Sequence, residues 1–266
     1  MRFTKMQGLG NDYLYVYGEV PDNVGEICDK LSDRQFGAGA DGMIYISPSA
    51  VADFKMRIFN ADGSEAMMCG NGVRCVGKYV YDKGYTDKTR LRIETLSGIK
   101  TLELQTAGGK VRRVSVDMGC AAVSDDLRVA AAGREIVCTP VSVGNPHAVI
   151  FVGDAEGAPV AALGPEIGRS AAFPDGANVE FVQVLSPTEL RMRVWERGSG
   201  VTMACGTGSC ASAAAAVAKG YCRYDTPVAV HLDGGTLEIS VSRDGSVTMT
   251  GPAATVYEGE TSDAEA

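Results

Sequence analysis

The sequence predicts an α+β fold of two pseudo-symmetric domains, each a mixed β-sheet or barrel wrapped around a central helix. Three observations carry this. The chain repeats itself at an offset near 136 residues, both halves hold short segments of alternating polarity, and each half has one long helical stretch at the same place in the repeat.

The repeat is ungapped where it is strongest. Residues 55–72 lie on residues 191–208, so that Met56, Arg57, Met67, Cys69, Gly70 and Gly72 meet Met192, Arg193, Met203, Cys205, Gly206 and Gly208. The same offset of 136 carries Lys83-Gly84-Tyr85 onto Lys219-Gly220-Tyr221. An offset of 134 puts Gly10-Asn11 on Gly144-Asn145, and 135 puts Thr101-Leu102-Glu103 on Thr236-Leu237-Glu238. A drift of two residues over the whole length indicates one unit duplicated. The expected bounds are 1–116 for the first domain, with a C-terminal strand around 252–258 as a candidate to join it, 117–251 for the second, and an acidic tail at 259–266. Residues 117–122 are the expected linker.

Alternating segments predict strands at 13–17, 54–59, 90–95 and 101–105, and again at 148–152, 189–195, 228–232 and 236–241. Helices are predicted over 70–83 and 206–219, stopped by Gly84 and Gly220 at positions suited to a left-handed C-terminal cap. Cys210 to Ala218 is apolar or small all round, and a helix without a polar face is buried on every side. Trp195, opposite Phe59 in the repeat, is read as core.

Composition narrows the function. With 266 residues, 45% hydrophobic and 22% charged, disorder, collagen and coiled coil are excluded. The net charge is −8, but Glu258, Glu260, Asp263 and Glu265 crowd the last nine residues without a base, leaving −4 elsewhere. That is ordinary solubility charge with an acidic frayed end. No basic run of five residues suggests nucleic acid or an anionic membrane as partner. Neither a signal-peptide apolar region nor an apolar stretch of ~20 residues is evident, so a cytoplasmic protein is expected. Eight cysteines in a reducing compartment are then packing or chemistry rather than a disulfide framework. Zinc is not expected: Cys69/Cys75 and Cys205/Cys210 are more widely spaced than its usual ligand pairs, and His147 and His231 are distant from both in sequence.

Cys69-Gly70-Asn71-Gly72 and Cys205-Gly206-Thr207-Gly208 each place a cysteine just before a glycine-rich helix start. The N–H groups and positive end of a helix favour thiolate over thiol, so both thiols are expected to ionise nearer neutrality than usual. The same N–H groups make a site for a carboxylate or phosphate. If the units pack about a pseudo-twofold axis, two thiols face each other across one cleft. One thiolate then removes a proton from a carbon acid and the other thiol delivers one to the opposite face, with no cofactor. Nine residues upstream the copies diverge: Asn60 lies opposite Glu196 and Ala61 opposite Arg197. An ammonium and a carboxylate remote from the reacting carbon would be read by such a Glu-Arg pair.

At these residues the sequence resembles the diaminopimelate epimerase family, epimerases without pyridoxal phosphate that interconvert LL- and meso-2,6-diaminopimelate. The resemblance runs nearly end to end, on Gly8 to Asp12, Asn60 to Glu65, Met68 to Cys75, Gly144 to His147, Asn178 to Phe181, Glu196 to Gly198 and Ala204 to Cys210. It implies Cys69 and Cys205 as the acid/base pair, with helix-start amides of Gly70, Asn71, Gly206 and Thr207 on the substrate carboxylate and Asn11 near the same centre. It further implies Asn60, Asn145, Asn178, Glu196 and Arg197 at the distal centre, and His147 with Glu196 tuning the thiols. It implies a homodimer, no cofactor and domains that close on substrate. Cys28, Cys75, Cys120, Cys138, Cys210 and Cys222 are expected to be packing. The chain departs from the family at Gly42, where many relatives have Gln, so no side-chain contact is carried onto that position.

The nearest alternative keeps the fold and changes the substrate, as in a proline-racemase-like isomerase. Glu196-Arg197 with Asn145 and Asn178 argue against it, because they suit a second amino-acid head. A thiol-disulfide protein is a different class, disfavoured by the absence of C-x-x-C.

Overall fold

The computed structural model describes residues 1–261, and they divide into two units. The first holds Met1–Val116 and the chain from Gly251 onward; the second is Asp117–Thr250.

In the first unit the chain runs β1 (Arg2–Gly8), β2 (Asn11–Tyr17), α1 (Val24–Ser32), β3 (Gly42–Ser47), β4 (Phe54–Asn60), β5 (Glu65–Ala66), α2 (Gly70–Asp82), β6 (Arg90–Thr95), β7 (Gly98–Ala107) and β8 (Lys110–Cys120). β1 pairs antiparallel with β2, β2 parallel with β3, β3 antiparallel with β4 and β4 parallel with β6. β6, β7 and β8 continue antiparallel. Each parallel pair needs a crossover, and α1 and α2 supply the two.

The second unit repeats this plan. It runs β9 (Ala122–Val123), β10 (Leu127–Ala131), β11 (Arg134–Ser142), β12 (Pro146–Phe151), α3 (Val160–Gly168), β13 (Asn178–Ser186), β14 (Glu189–Glu196), β15 (Gly200–Val201), α4 (Gly206–Ala218), β16 (Val228–Leu232), β17 (Gly235–Val241) and β18 (Ser246–Pro252). β12 with β13 and β14 with β16 are the parallel pairs, and the others alternate as before. A last strand, β19 (Ala254–Glu260), returns antiparallel to β1.

The predicted strands and central helices are present to within a few residues, and Gly84 and Gly220 follow the helix ends with φ of 79° and 75°. Eleven of the 13 residues of each central helix are buried. α4 achieves this with small side chains, its buried Ser209 and Ser212 hydroxyls donating back to the carbonyls of Cys205 and Gly208, whereas α2 buries two cations that find partners. Lys78 Nζ lies 2.6 Å from Asp82 Oδ2 and donates to the Val111 carbonyl at 2.8 Å, and Arg74 Nε donates to the Pro252 carbonyl at 3.1 Å. Trp195 is buried in the second unit's core beside Leu163, Ile167 and Phe181.

Three expectations are corrected. The sequence reading has one helix per unit, but α1 and α3 add a second. Nine-residue helices are marginal alone, and packing of Ile27, Cys28 and Leu31, or of Val160, Leu163 and Ile167, holds them. Residues 117–120 are not a loose linker; they extend β8, whose inward alternation Val114, Val116, Met118 carries on through them. The acidic tail begins too early: Gly259 and Glu260 pair with Phe3 and Arg2 in the sheet, and Glu258 salt-bridges Lys83. Residues 262–266 of that expected tail lie outside the described residues.

Candidate active site

Cys69 and Cys205 are the N-caps of α2 and α4. Each has extended backbone angles (φ −133°, ψ 118° and φ −114°, ψ 113°), and each sulfur accepts the N–H of the third helical residue, Gly72 or Gly208, at 3.3 Å. The thiol does what a serine hydroxyl does at a helix start, taking one of the N–H groups that have no carbonyl one turn back. The third position is tight in both helices. A Cβ on Gly72 would stand 2.8 Å from Ile44 Cδ1, and one on Gly208 would stand 2.7 Å from Glu180 Oε1.

Around Cys69 the first unit gathers Asn11, Gly70, Asn71 and Asp41. Leu9 and Gly10, both with positive φ, close the tight β1–β2 hairpin, which delivers Asn11 at the start of β2. Cys69 Sγ donates to Asn11 Oδ1 at 3.2 Å, and Asn71 Nδ2 donates to the same oxygen at 3.4 Å. Asn11 Nδ2 donates to Asp41 Oδ2 at 2.8 Å. Asn60 stands across from Gly42 at the end of β4, with Nδ2 on Ser64 Oγ at 3.0 Å. Gly42 has its own reason: an added Cβ would meet the Phe59 carbonyl oxygen at 2.1 Å, so this backbone has no room for a side chain.

Around Cys205 the second unit gathers Gly206, Thr207, Asn145, His147 and Glu196. Thr207 Oγ1 is 3.5 Å from Cys205 Sγ and receives Asn145 Nδ2 at 3.4 Å, while Asn145 Oδ1 lies 3.1 Å from His147 Nε2. Glu196 accepts the Thr202 hydroxyl. Asn178 Oδ1 accepts the backbone N–H of Arg197 at 2.8 Å, so it holds the exposed Arg197, whose guanidinium donates to the Asp175 carbonyl.

The expectation of a low thiol pKa fails at Cys205. Cys205 is buried, and burial first, then the carboxylates of Glu196 and Glu180, push the thiol well above its ordinary value despite the helix-start amide. Burial likewise pushes the Glu196 carboxyl up. Burial lifts the Cys75 and Cys138 thiols to about 11, as suits packing residues. Cys120 is the departure in that group, since it is exposed.

Glu180 stands beside the candidate site, although the sequence analysis assigns it no role. Its side chain is wholly buried, Oε1 lies 2.7 Å from His147 Nδ1, and Oε2 has no hydrogen-bond partner. The signal was available: Glu180 is the acid inside the apolar run Val179–Val182, and a buried acid calls for a partner.

Comparison with known proteins adds an independent line. A family model described as diaminopimelate epimerase matches residues 3–123 and 139–256. The chain is 49% identical to a diaminopimelate epimerase of Acetivibrio thermocellus over 98% of each chain, and 51% identical to one of Parabacteroides distasonis over 97% of each. Among solved structures it is similar to a probable proline racemase from Agrobacterium radiobacter K84, with a TM-score of 0.78 and 17% identity over 98% of this chain and 93% of that one. A hydroxyproline epimerase from Agrobacterium vitis gives 0.75 and 18%, over 98% and 90%. At such identities these structures share the fold alone.

Proposed function

We propose, on the premise that the chain belongs to the diaminopimelate epimerase family, that Cys69 and Cys205 are the acid and base with which it epimerises LL-2,6-diaminopimelate to the meso form. The observation that carries the reading is the duplicated cap: a thiol on the third-residue amide at 3.3 Å, at equivalent positions of the repeat.

The α-proton of an amino acid is weakly acidic, so the difficulty lies in the carbanion. One thiolate removes the proton, and the charge that develops spreads into the adjacent carboxylate. The leading amides and positive ends of α2 and α4 are the groups suited to stabilise it. The second thiol returns a proton to the opposite face, which inverts the centre, and the thiols exchange roles in the reverse direction. Atoms balance without a redox step, and the reading invokes no cofactor. Asn11 holds the substrate near the reacting carbon. Asn60, Asn145, Asn178, Glu196 and Arg197 engage the distal amino-acid head, Glu196 toward an ammonium and Arg197 toward a carboxylate. His147 and Glu196 tune the thiols.

The same reading places the enzyme in the cytoplasm, in the synthesis of lysine and peptidoglycan precursors, as a homodimer. Among the described residues no helix is long and apolar enough to cross a membrane. Incubating the purified protein with LL-diaminopimelate alone and separating the stereoisomers tests the activity. Appearance of the meso isomer is expected, and a protein that leaves diaminopimelate unchanged but racemises proline would overturn it.

A further inference from the structure

The amide of Asn11 can stand only one way round. Asp41 Oδ2 faces its nitrogen at 2.8 Å and also accepts the Asp12 N–H at 3.0 Å, while Asp41 Oδ1 accepts from Arg34 Nη2 at 2.8 Å. A carboxylate accepts hydrogen bonds, so the nitrogen end of Asn11 must face Asp41 and the oxygen end must face Cys69. Asn71 Nδ2 donates to that oxygen at 3.4 Å, but an amide can present either end, so it is Asp41 that sets the orientation. The group 3.2 Å from the Cys69 sulfur is therefore an acceptor. An acceptor welcomes S–H and repels a thiolate.

The second unit lacks this arrangement. Asn145, which stands at the repeat position of Asn11, turns its oxygen to His147 and its nitrogen to Thr207, and a hydroxyl rather than an amide oxygen lies 3.5 Å from the Cys205 sulfur. The two thiols have unlike neighbours although their helix caps match.

We propose that Asp41 is a positioning residue that acts through Asn11, setting an acceptor against Cys69 and keeping that thiol protonated in the substrate-free enzyme. The proposal rests on the reading of Cys69 as one of the two acid/base thiols. Tyr13 and Tyr15 from β2 and Cys75 from α2 are among the titratable groups near the sulfur, all three pushed up by burial and so uncharged near neutrality. Lys5 and Arg34 are paired with Asp12 at 2.9 and 2.7 Å.

The test is the pH dependence of iodoacetamide alkylation, read separately for Cys69 and Cys205 by peptide mass spectrometry on the intact enzyme. Asn11→Ala removes the acceptor and Asp41→Ala lets the amide turn. Each is expected to lower the Cys69 midpoint by about one pH unit, with Cys205 unmoved in the same samples. The double variant should fall no further than either single one, because Asp41 acts through Asn11. Additive shifts would mean that the Asp41 charge acts on Cys69 directly, and would overturn the proposal, as would equal shifts at both cysteines. Asn11→Ala leaves the Asp12–Arg34–Asp41 cluster intact, so an unchanged Cys69 midpoint in that variant overturns the proposal whatever becomes of the Asp41 variants. Alkylation reads the thiol whether or not diaminopimelate is turned over, so a failed substrate assay would count against the activity and not against this inference.

Discussion

Nδ1 of His147 lies 2.7 Å from Oε1 of Glu180, and neither side chain has any solvent exposure. Out of reach of water each supplies the other's hydrogen-bond partner, so removing Glu180 leaves His147 Nδ1 buried and unpaired. Glu180→Leu is expected to destabilise the protein by about 3 kcal/mol, which for a chain of this size lowers Tm by roughly 6–12 °C. Calorimetry checks it; an unchanged Tm would show that the pair contributes nothing to the fold.

The glycines beneath the two caps are predicted to differ in their tolerance. A Cβ on Gly72 meets the far end of an isoleucine side chain, which can turn away, whereas one on Gly208 meets the Glu180 carboxylate at 2.7 Å and the Cys205 sulfur at 3.2 Å. Gly208→Ala should therefore lose at least tenfold more kcat than Gly72→Ala, on the order of the loss expected when a catalytic thiol is displaced. Equal losses in steady-state assays would refute the difference.

Glu196 bears on the protonation of Cys205. Its carboxylate is one of the groups that push the buried thiol up, so Glu196→Gln should lower the Cys205 midpoint in alkylation assays. A midpoint that rises or stays put would mean that the carboxylate is not acting through its charge.

Stability should fall in alkali. Cys75 and Cys138 ionise at about 11 when folded against 9.0 for an unhindered thiol. The folded values are the higher ones, so these thiols contribute stability fully below pH 9, and it is lost as the pH rises through 11. Thermal melts at pH 8 and pH 10.5 should show the lower Tm at the higher pH, and Cys75→Ala should narrow the gap; a gap unchanged by that substitution would exclude Cys75 as a source.

Recognition of the distal head is expected to depend on Arg197. Arg197→Ala should raise KM for LL-diaminopimelate by roughly 10- to 100-fold, as for loss of a charge-assisted hydrogen bond, with a smaller change in kcat. Asn178→Ala, which releases the Arg197 backbone, should shift KM in the same direction. Unchanged KM in Arg197→Ala would remove that residue from the site.

Much of this was readable in the chain because the repeat aligns physical constraints as well as letters. Two glycines after each cysteine, a stop glycine after each central helix and an asparagine beside the turn that precedes each unit's first parallel pair mark backbone demands that any copy must meet. What stayed hidden depends on packing. The α1 and α3 helices are too short to announce themselves and rely on a few buried side chains. The helix-start rule for thiols was outweighed at Cys205 by burial and two nearby acids, which no local pattern around the cysteine displays. Asp41 and Glu180 are distant in sequence from the residues they touch, and only the sheet brings them to Asn11 and His147.

The central claim is that two thiols perform one inversion, and proton exchange in the single-cysteine variants tests it most directly. With LL-diaminopimelate in deuterated water, the wild-type enzyme should place solvent deuterium mainly in the meso product at early times. Cys69→Ala and Cys205→Ala should each abolish epimerisation. Near-normal turnover in either variant would contradict the pairing.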